Sequence, residues 1–230
     1  MKILGIAAKW LFVLCLPILL LTASIGWAAN SLWLYEYGFG KYGVSQTTGL
    51  AGVELEKAAT GLISYFNSGE EYISLTVVKG DKPFELFNRR EIAHLRDVKG
   101  LIWLDYWLLL GTLIYTLVYA GVSLFWRGGR YWRRLAWGLV SGGSVTLALM
   151  LALGLGALLN FDRLFLQFHL ISFANELWQL DPAKDYLIML FPRGFWYDAT
   201  LICAAATATG AAILGGVGMY IYSSAGRSRG

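Results

Sequence analysis

The chain reads as an all-α membrane protein, four transmembrane helices capped by a small outward-facing α+β segment. Three observations carry that reading. Of its 230 residues 57% are hydrophobic and 15% charged, more apolar surface than one soluble core of this size needs. The apolar residues gather in four runs, each long enough to cross a hydrocarbon core of about 30 Å. The charges divide unevenly among the segments between those runs, the pattern by which Lys and Arg mark the cytoplasmic side of a membrane.

The first run, Trp10 to Ala29, carries no charge over 20 residues, longer than the apolar core of a secretory signal. It predicts a retained span within residues 1–29. Gly26-Trp27-Ala28 would serve as a cleavage site in the opposite reading, a removed signal peptide. Residues 30–100 form the only sizeable water-soluble piece. Within it Leu50, Val53, Ala58, Leu62, Tyr65 and Phe66 recur at helical spacing, and Asn67-Ser68-Gly69 supplies a stop, which predicts an amphipathic helix from Leu50 to Asn67. Tyr72 to Val78 is β-branched and partly alternating, and after Lys79-Gly80-Asp81-Lys82-Pro83 comes Phe84-Glu85-Leu86-Phe87. That pattern predicts a short hairpin.

A second span is expected over 101–126 and a third over 135–159. The fourth begins at Ala199 and leads into a tail, together 199–230. Between the second and third, the loop 127–134 holds four arginines and no acid. With Lys2, Lys9, Arg227 and Arg229 it makes eight basic residues on one side, while the 15 acids all belong to the opposite segments and the span edge beside them. Both termini and the arginine loop are therefore expected in the cytoplasm, and 30–100 and 160–198 outside. A lipid-headgroup site in the arginine loop is the less favoured use of the same charges. In the second outer segment Asp181 and Pro182 look like a helix start, with a membrane-surface helix from Lys184 to Leu190.

Several chemistries fall away at this stage. Cys15 and Cys203 sit in apolar runs without metal-type spacing and read as small core residues. Gly138, Gly142, Gly210, Gly215, Gly216 and Gly218 lie inside spans with no preceding strand, so they suit close helix packing and not a phosphate loop. No nucleophile elbow is present, and Ser141 and Ser144 have no nearby base. Nothing points to nucleic acid. What remains is a cluster of ionisable groups beside spans, which is costly unless it faces a cavity.

Both histidines belong to that cluster. His94 lies in Glu91-Ile92-Ala93-His94-Leu95-Arg96-Asp97-Val98-Lys99, and if this stretch is helical, Asp97 and Asp105 project from the same side. His169 lies beside the third span, with Asp162 two turns earlier on its face. Each alone is ordinary at a span end. Together, at one expected depth and near carboxylates, they suit proton transfer or a metal better than covalent catalysis. They also admit two other readings, a bis-histidine haem protein and a scaffold without enzymatic activity.

These segments resemble the signature segments of the bacterial lipoprotein intramolecular transacylases. The likeness rests on the Glu91 to Lys99 run and on Phe168-His169, Phe173, Asn175, Trp178, Asp181-Pro182, Asp185, Leu187-Ile188 and Phe191-Pro192; at the position after Phe191-Pro192, where the family pattern has an acid, this chain has Arg193. The resemblance implies a multi-pass protein of the bacterial cell membrane with His94 and His169 as the catalytic pair; on the residues themselves, Asp97, Asp105, Asp162 and Asn175 are expected in support, and the chemistry requires no cofactor. The resemblance also implies diacylglyceryl-modified lipoproteins as substrates within membrane lipid. One acyl chain would move from the diacylglyceryl group to the α-amino group of the N-terminal cysteine.

Overall fold

The computed structural model describes residues 2–126 and 131–227. Residues 127–130 of the arginine loop, along with Arg229, lie outside the described residues. Helix α1 spans Lys2–Asn30, α2 Leu32–Lys41, α3 Val44–Thr48 and α4 Gly52–Asn67. Strands β1 (Thr76–Lys79) and β2 (Lys82–Glu85) follow, then α5 (Arg89–Phe125), α6 (Trp132–Ser172), α7 (Tyr186–Leu190) and α8 (Arg193–Arg227). Four of these helices, α1, α5, α6 and α8, are long and apolar enough to cross a membrane. The chain divides into two compact units, one of residues 1–25, 105–158 and 201–230, the other of 26–104 and 159–200.

The first unit holds most of the apolar helix length. Its core is Phe12, Leu16 and Leu135, against which Leu20, Tyr115, Tyr119, Leu139 and Leu214 pack. Between lipid-covered helices the hydrophobic effect adds little, so close van der Waals contact must hold them together. Glycine makes that contact. A Cβ on Gly143 would stand 2.9 Å from the Ala211 carbonyl oxygen, and one on Gly218 2.8 Å from that of Ala136. Gly138 and Gly142 make room for the Phe12 ring and the Leu16 side chain in the same way, and Gly210 lies near Leu20. Gly216 is different, because a Cβ there would meet open space.

The second unit is built on α4, whose inner face buries Leu55, Ala58, Ala59, Leu62, Tyr65 and Phe66. The hairpin lies beside it, with Val77 opposite Phe84 and Val77 fully buried. Gly80 and Asp81 both have positive φ (56° and 65°), as a two-residue turn matched to strand twist requires. The Val78 N–H donates to the Glu54 carboxylate at 2.9 Å and ties hairpin to helix. Only Thr76 onward pairs as a strand, a shorter ladder than the pattern from Tyr72 suggests. Before it, Gly61 leaves the space that Leu75 occupies. The short helices α2 and α3 were not legible in the sequence. Lys41, Tyr37 and Tyr42 converge on Asp198 Oδ2, at 2.7, 3.1 and 2.7 Å. Burial and that hydrogen bond both raise the Tyr42 phenol above its ordinary range.

Helix α6 is two helices joined at Asn160, whose backbone is extended (φ −160°, ψ 81°). Its side-chain oxygen then accepts the Arg163 N–H at 3.0 Å, so the residue that breaks the first helix caps the second. This break turns residues 161–172 into a separate His-bearing helix within the second unit. Further on, Asp181 forms a turn and not a helix start. Its Oδ1 accepts the Ala183 N–H at 2.9 Å, and α7 begins only at Tyr186, with Asp185 in the capping position. The backbone bond from Ala183, outweighing an opposing desolvation effect and helped by Lys184, holds the Asp181 carboxyl below the usual range.

Candidate active site

The N-terminal end of α5 starts with a reciprocal cap. Asn88 Oδ1 accepts the N–H of Arg90 (2.9 Å) and Glu91 (3.1 Å), while Glu91 Oε2 accepts the Asn88 N–H at 2.7 Å, the arrangement of a capping box. Glu91, His94, Leu95 and Lys99 then recur at helical spacing and are all buried. Lys99 avoids an unpaired charge by donating to the Glu70 carbonyl at 2.6 Å and lying over the Tyr65 ring.

His94 and His169 meet across this unit with ring centroids 6.4 Å apart. They come from residues 75 positions apart on two separate helices, and both are more than nine-tenths buried. Their surroundings are aromatic. Phe165, Trp178, Phe168 and Phe173 lie 4.3, 4.9, 5.3 and 5.6 Å from His169, and Phe173 is also 5.0 Å from His94.

The hydrogen bonds distinguish the two rings. His169 Nδ1 lies 2.8 Å from the Phe165 carbonyl oxygen. A carbonyl oxygen only accepts, so Nδ1 must carry the hydrogen, which leaves Nε2 with a free lone pair in the neutral ring. His94 Nδ1 is buried and has no hydrogen-bond partner among the described residues, a condition that costs free energy until something supplies one.

The carboxylates fall differently from the sequence expectation. Asp162 does not reach His169. It forms an exposed ion pair with Arg193, and the Phe165 carbonyl, one turn before His169, takes the ring nitrogen instead. Asp97 accepts from Asn175 Nδ2 at 2.8 Å and makes no hydrogen bond to either imidazole. Asp105, on α5 beyond His94, is buried, its Oδ2 has no hydrogen-bond partner among the described residues, and it belongs to the first compact unit, not to the unit holding the histidines. Among the described residues no group of three His, Cys, Asp or Glu side chains is disposed to hold a metal ion. A porphyrin between the histidines would have to displace Phe173, so the site does not fit haem either.

Roles that the sequence did not suggest belong to residues tying residues 173–191 onto α5. Arg90 donates to the Glu176 carbonyl at 2.7 Å, Asn88 Nδ2 to Asp185 Oδ1 at 2.8 Å, and the Leu187 N–H to Glu91 Oε1 at 2.6 Å. The capping pattern Asn88-x-x-Glu91 was the available signal for two of them.

A model of the lipoprotein intramolecular transacylase family matches residues 10–196 of the chain, a stretch that contains both histidines and all these ties. The chain belongs to that family. Among solved structures it is similar to the lipoprotein intramolecular transacylase of Bacillus cereus, with a TM-score of 0.82 and 17% identity over 97% of this chain and 98% of that one. A variant of the same protein, with a histidine changed to alanine, aligns with a TM-score of 0.77 at 17% identity, covering 97% and 96%. At that identity the likeness establishes the shared fold, an integral membrane protein. An uncharacterized protein of Aquifex aeolicus is 30% identical over 118 residues, about half the length of each chain (51% and 50%). The family's fold thus accounts for the four long helices and the small hairpin unit together.

Proposed function

We propose that the protein performs the family reaction through His94 and His169, moving one acyl chain from the diacylglyceryl group of a lipoprotein to the α-amino group of its N-terminal cysteine. The observation that carries this reading is the buried pair of imidazoles, one with a free Nε2 and the other with an unpartnered Nδ1. An α-amino group with a pKa of about 8 is mostly protonated at neutral pH, so it needs a neutral base held beside it. His169 suits that role, since the Phe165 carbonyl holds its hydrogen on Nδ1 and leaves Nε2 to take the amine proton. The amine nitrogen then attacks the ester carbonyl, and the tetrahedral oxyanion needs donors. His94 suits this second role through a ring N–H, while the imidazolium that His169 has become gives its proton to the departing glyceryl oxygen and Nε2 then takes the surplus proton left on the new amide nitrogen.

Ester and amine belong to one substrate, so no co-reactant enters and orientation does much of the work, up to roughly 7–11 kcal/mol of barrier. Both histidines are buried, with Phe173 buried against them, and a site with little access for water favours the amine over hydrolysis. The division of charge supports a site on the outer side, with both termini cytoplasmic.

Mass spectrometry of a lipoprotein's N-terminal peptide, with and without the protein, tests the reading. Total lipid mass should stay constant while fragment ions move one acyl mass from the glyceryl side to the nitrogen. An unchanged fragment pattern with abundant wild-type protein would leave the scaffold reading in its place.

A further inference from the structure

We infer that Glu91 is a positioning residue for this reaction, a buried carboxylate that clamps residues 173–191 onto the His94 helix and so sets the wall against which the two imidazoles face each other. The inference rests on the transacylase reading and extends it to a residue that touches neither ring. Glu91 is 1% exposed. Both its oxygens accept backbone N–H groups at short distances, Oε2 from Asn88 at 2.7 Å and Oε1 from Leu187 at 2.6 Å. The first bond closes the α5 cap. The second reaches 96 positions along the chain and holds the first turn of α7.

A cap alone would not need this residue so deep. A buried carboxylate with two charge-assisted bonds is a stiff joint, and Glu91 stands one turn before His94 on the same face of α5. Beside it Asn88 Nδ2 holds Asp185 Oδ1 at 2.8 Å, and Asp185 Oδ2 accepts the Asp181 N–H at 2.7 Å. The seam therefore locks one end of the 173–191 segment. Its other end carries Phe173, which packs on both histidines, and Trp178, which packs on His169. Loosening the seam lets that wall move relative to His94 and His169, and a shift of an ångström at a reacting centre is worth about a hundredfold in rate.

The test uses full-length protein in detergent with a diacylglyceryl lipopeptide, comparing wild type, Glu91→Gln and Asn88→Ser. Glutamine keeps the acceptor for Leu187 but turns an N–H₂ toward the Asn88 N–H. Serine keeps the cap oxygen at an exposed position but has no N–H for Asp185. The expected result is a kcat at least tenfold lower for Glu91→Gln and about threefold lower for Asn88→Ser, with KM within twofold, and a double variant less than the product of the two. Hydrogen exchange should rise across residues 173–191 and stay unchanged in the hairpin. Wild-type kcat in Glu91→Gln, or losses confined to KM, would overturn the inference. If Glu91→Gln does not fold, Asn88→Ser decides by the same two readouts. Absence of transfer by the wild type would refute the transacylase reading instead. In that case unchanged exchange over 173–191 would still sink the clamp, and raised exchange would support it.

Discussion

Replacing His169 by asparagine separates its chemistry from its place in the fold. The side-chain amide can donate to the Phe165 carbonyl as Nδ1 does at 2.8 Å, so the local anchor survives, while nothing remains at the Nε2 position to accept a proton. The ring it replaces is surrounded by Phe165, Phe168, Phe173 and Trp178, and part of that space will be left empty. Shrinking a buried side chain costs about 1–3 kcal/mol of stability, tolerable for the whole protein. Losing a positioned base costs a factor of about 10² to 10⁴ in rate, or about 2.7–5.4 kcal/mol of barrier. His169→Asn should therefore remain folded, bind a lipopeptide nearly as before and transfer its acyl chain at least a hundredfold more slowly in single-turnover mass spectrometry. If the pair acts as a unit, combining it with His94→Ala should add little to the loss, as for other groups serving one transition state. Transfer by His169→Asn within tenfold of wild type would refute the assignment of the base. Additive losses in the double variant would refute the pair.

Three further outcomes follow from the same contacts. Gly143→Ala should destabilise the first unit by about 1–3 kcal/mol, since its methyl group meets backbone atoms that cannot turn aside, while Gly216→Ala should leave the thermal midpoint within a degree or two; equal midpoints for both would contradict the packing account. Asp162→Asn should change kcat by less than about threefold, because the carboxylate is spent on an exposed pair with Arg193, a type worth no more than about 1 kcal/mol; a hundredfold loss would return Asp162 to the catalytic group. Reporter fusions at the C-terminus and after Arg134 should register cytoplasm, and those near Gly80 and Ala183 the outside; a cytoplasmic signal at Gly80 would reverse the proposed side of the site.

The four long apolar helices, the amphipathic α4 and the hairpin were legible in the sequence because each depends on local periodicity and composition. Hydropathy over 20 residues needs no partner to be read, and Gly80-Asp81 signals a turn by backbone preference alone. The two histidines stood out by their rarity and by the signature segments around them. Tertiary structure decided what each of them faces. A helical face says which residues project together but not what lies opposite, so the sequence paired the histidines with Asp97 and Asp162, whereas the folded chain gives His169 a backbone carbonyl, Asp97 an asparagine and Asp162 an arginine. The break at Asn160 was equally hidden, since asparagine is tolerated within a helix and caps one only when its backbone is held extended. Glu91 shows the same limit most plainly. Its capping partner is three residues away and could be read locally, but its bond to Leu187 forms between segments 96 positions apart, and only packing brings that backbone N–H to a buried carboxylate.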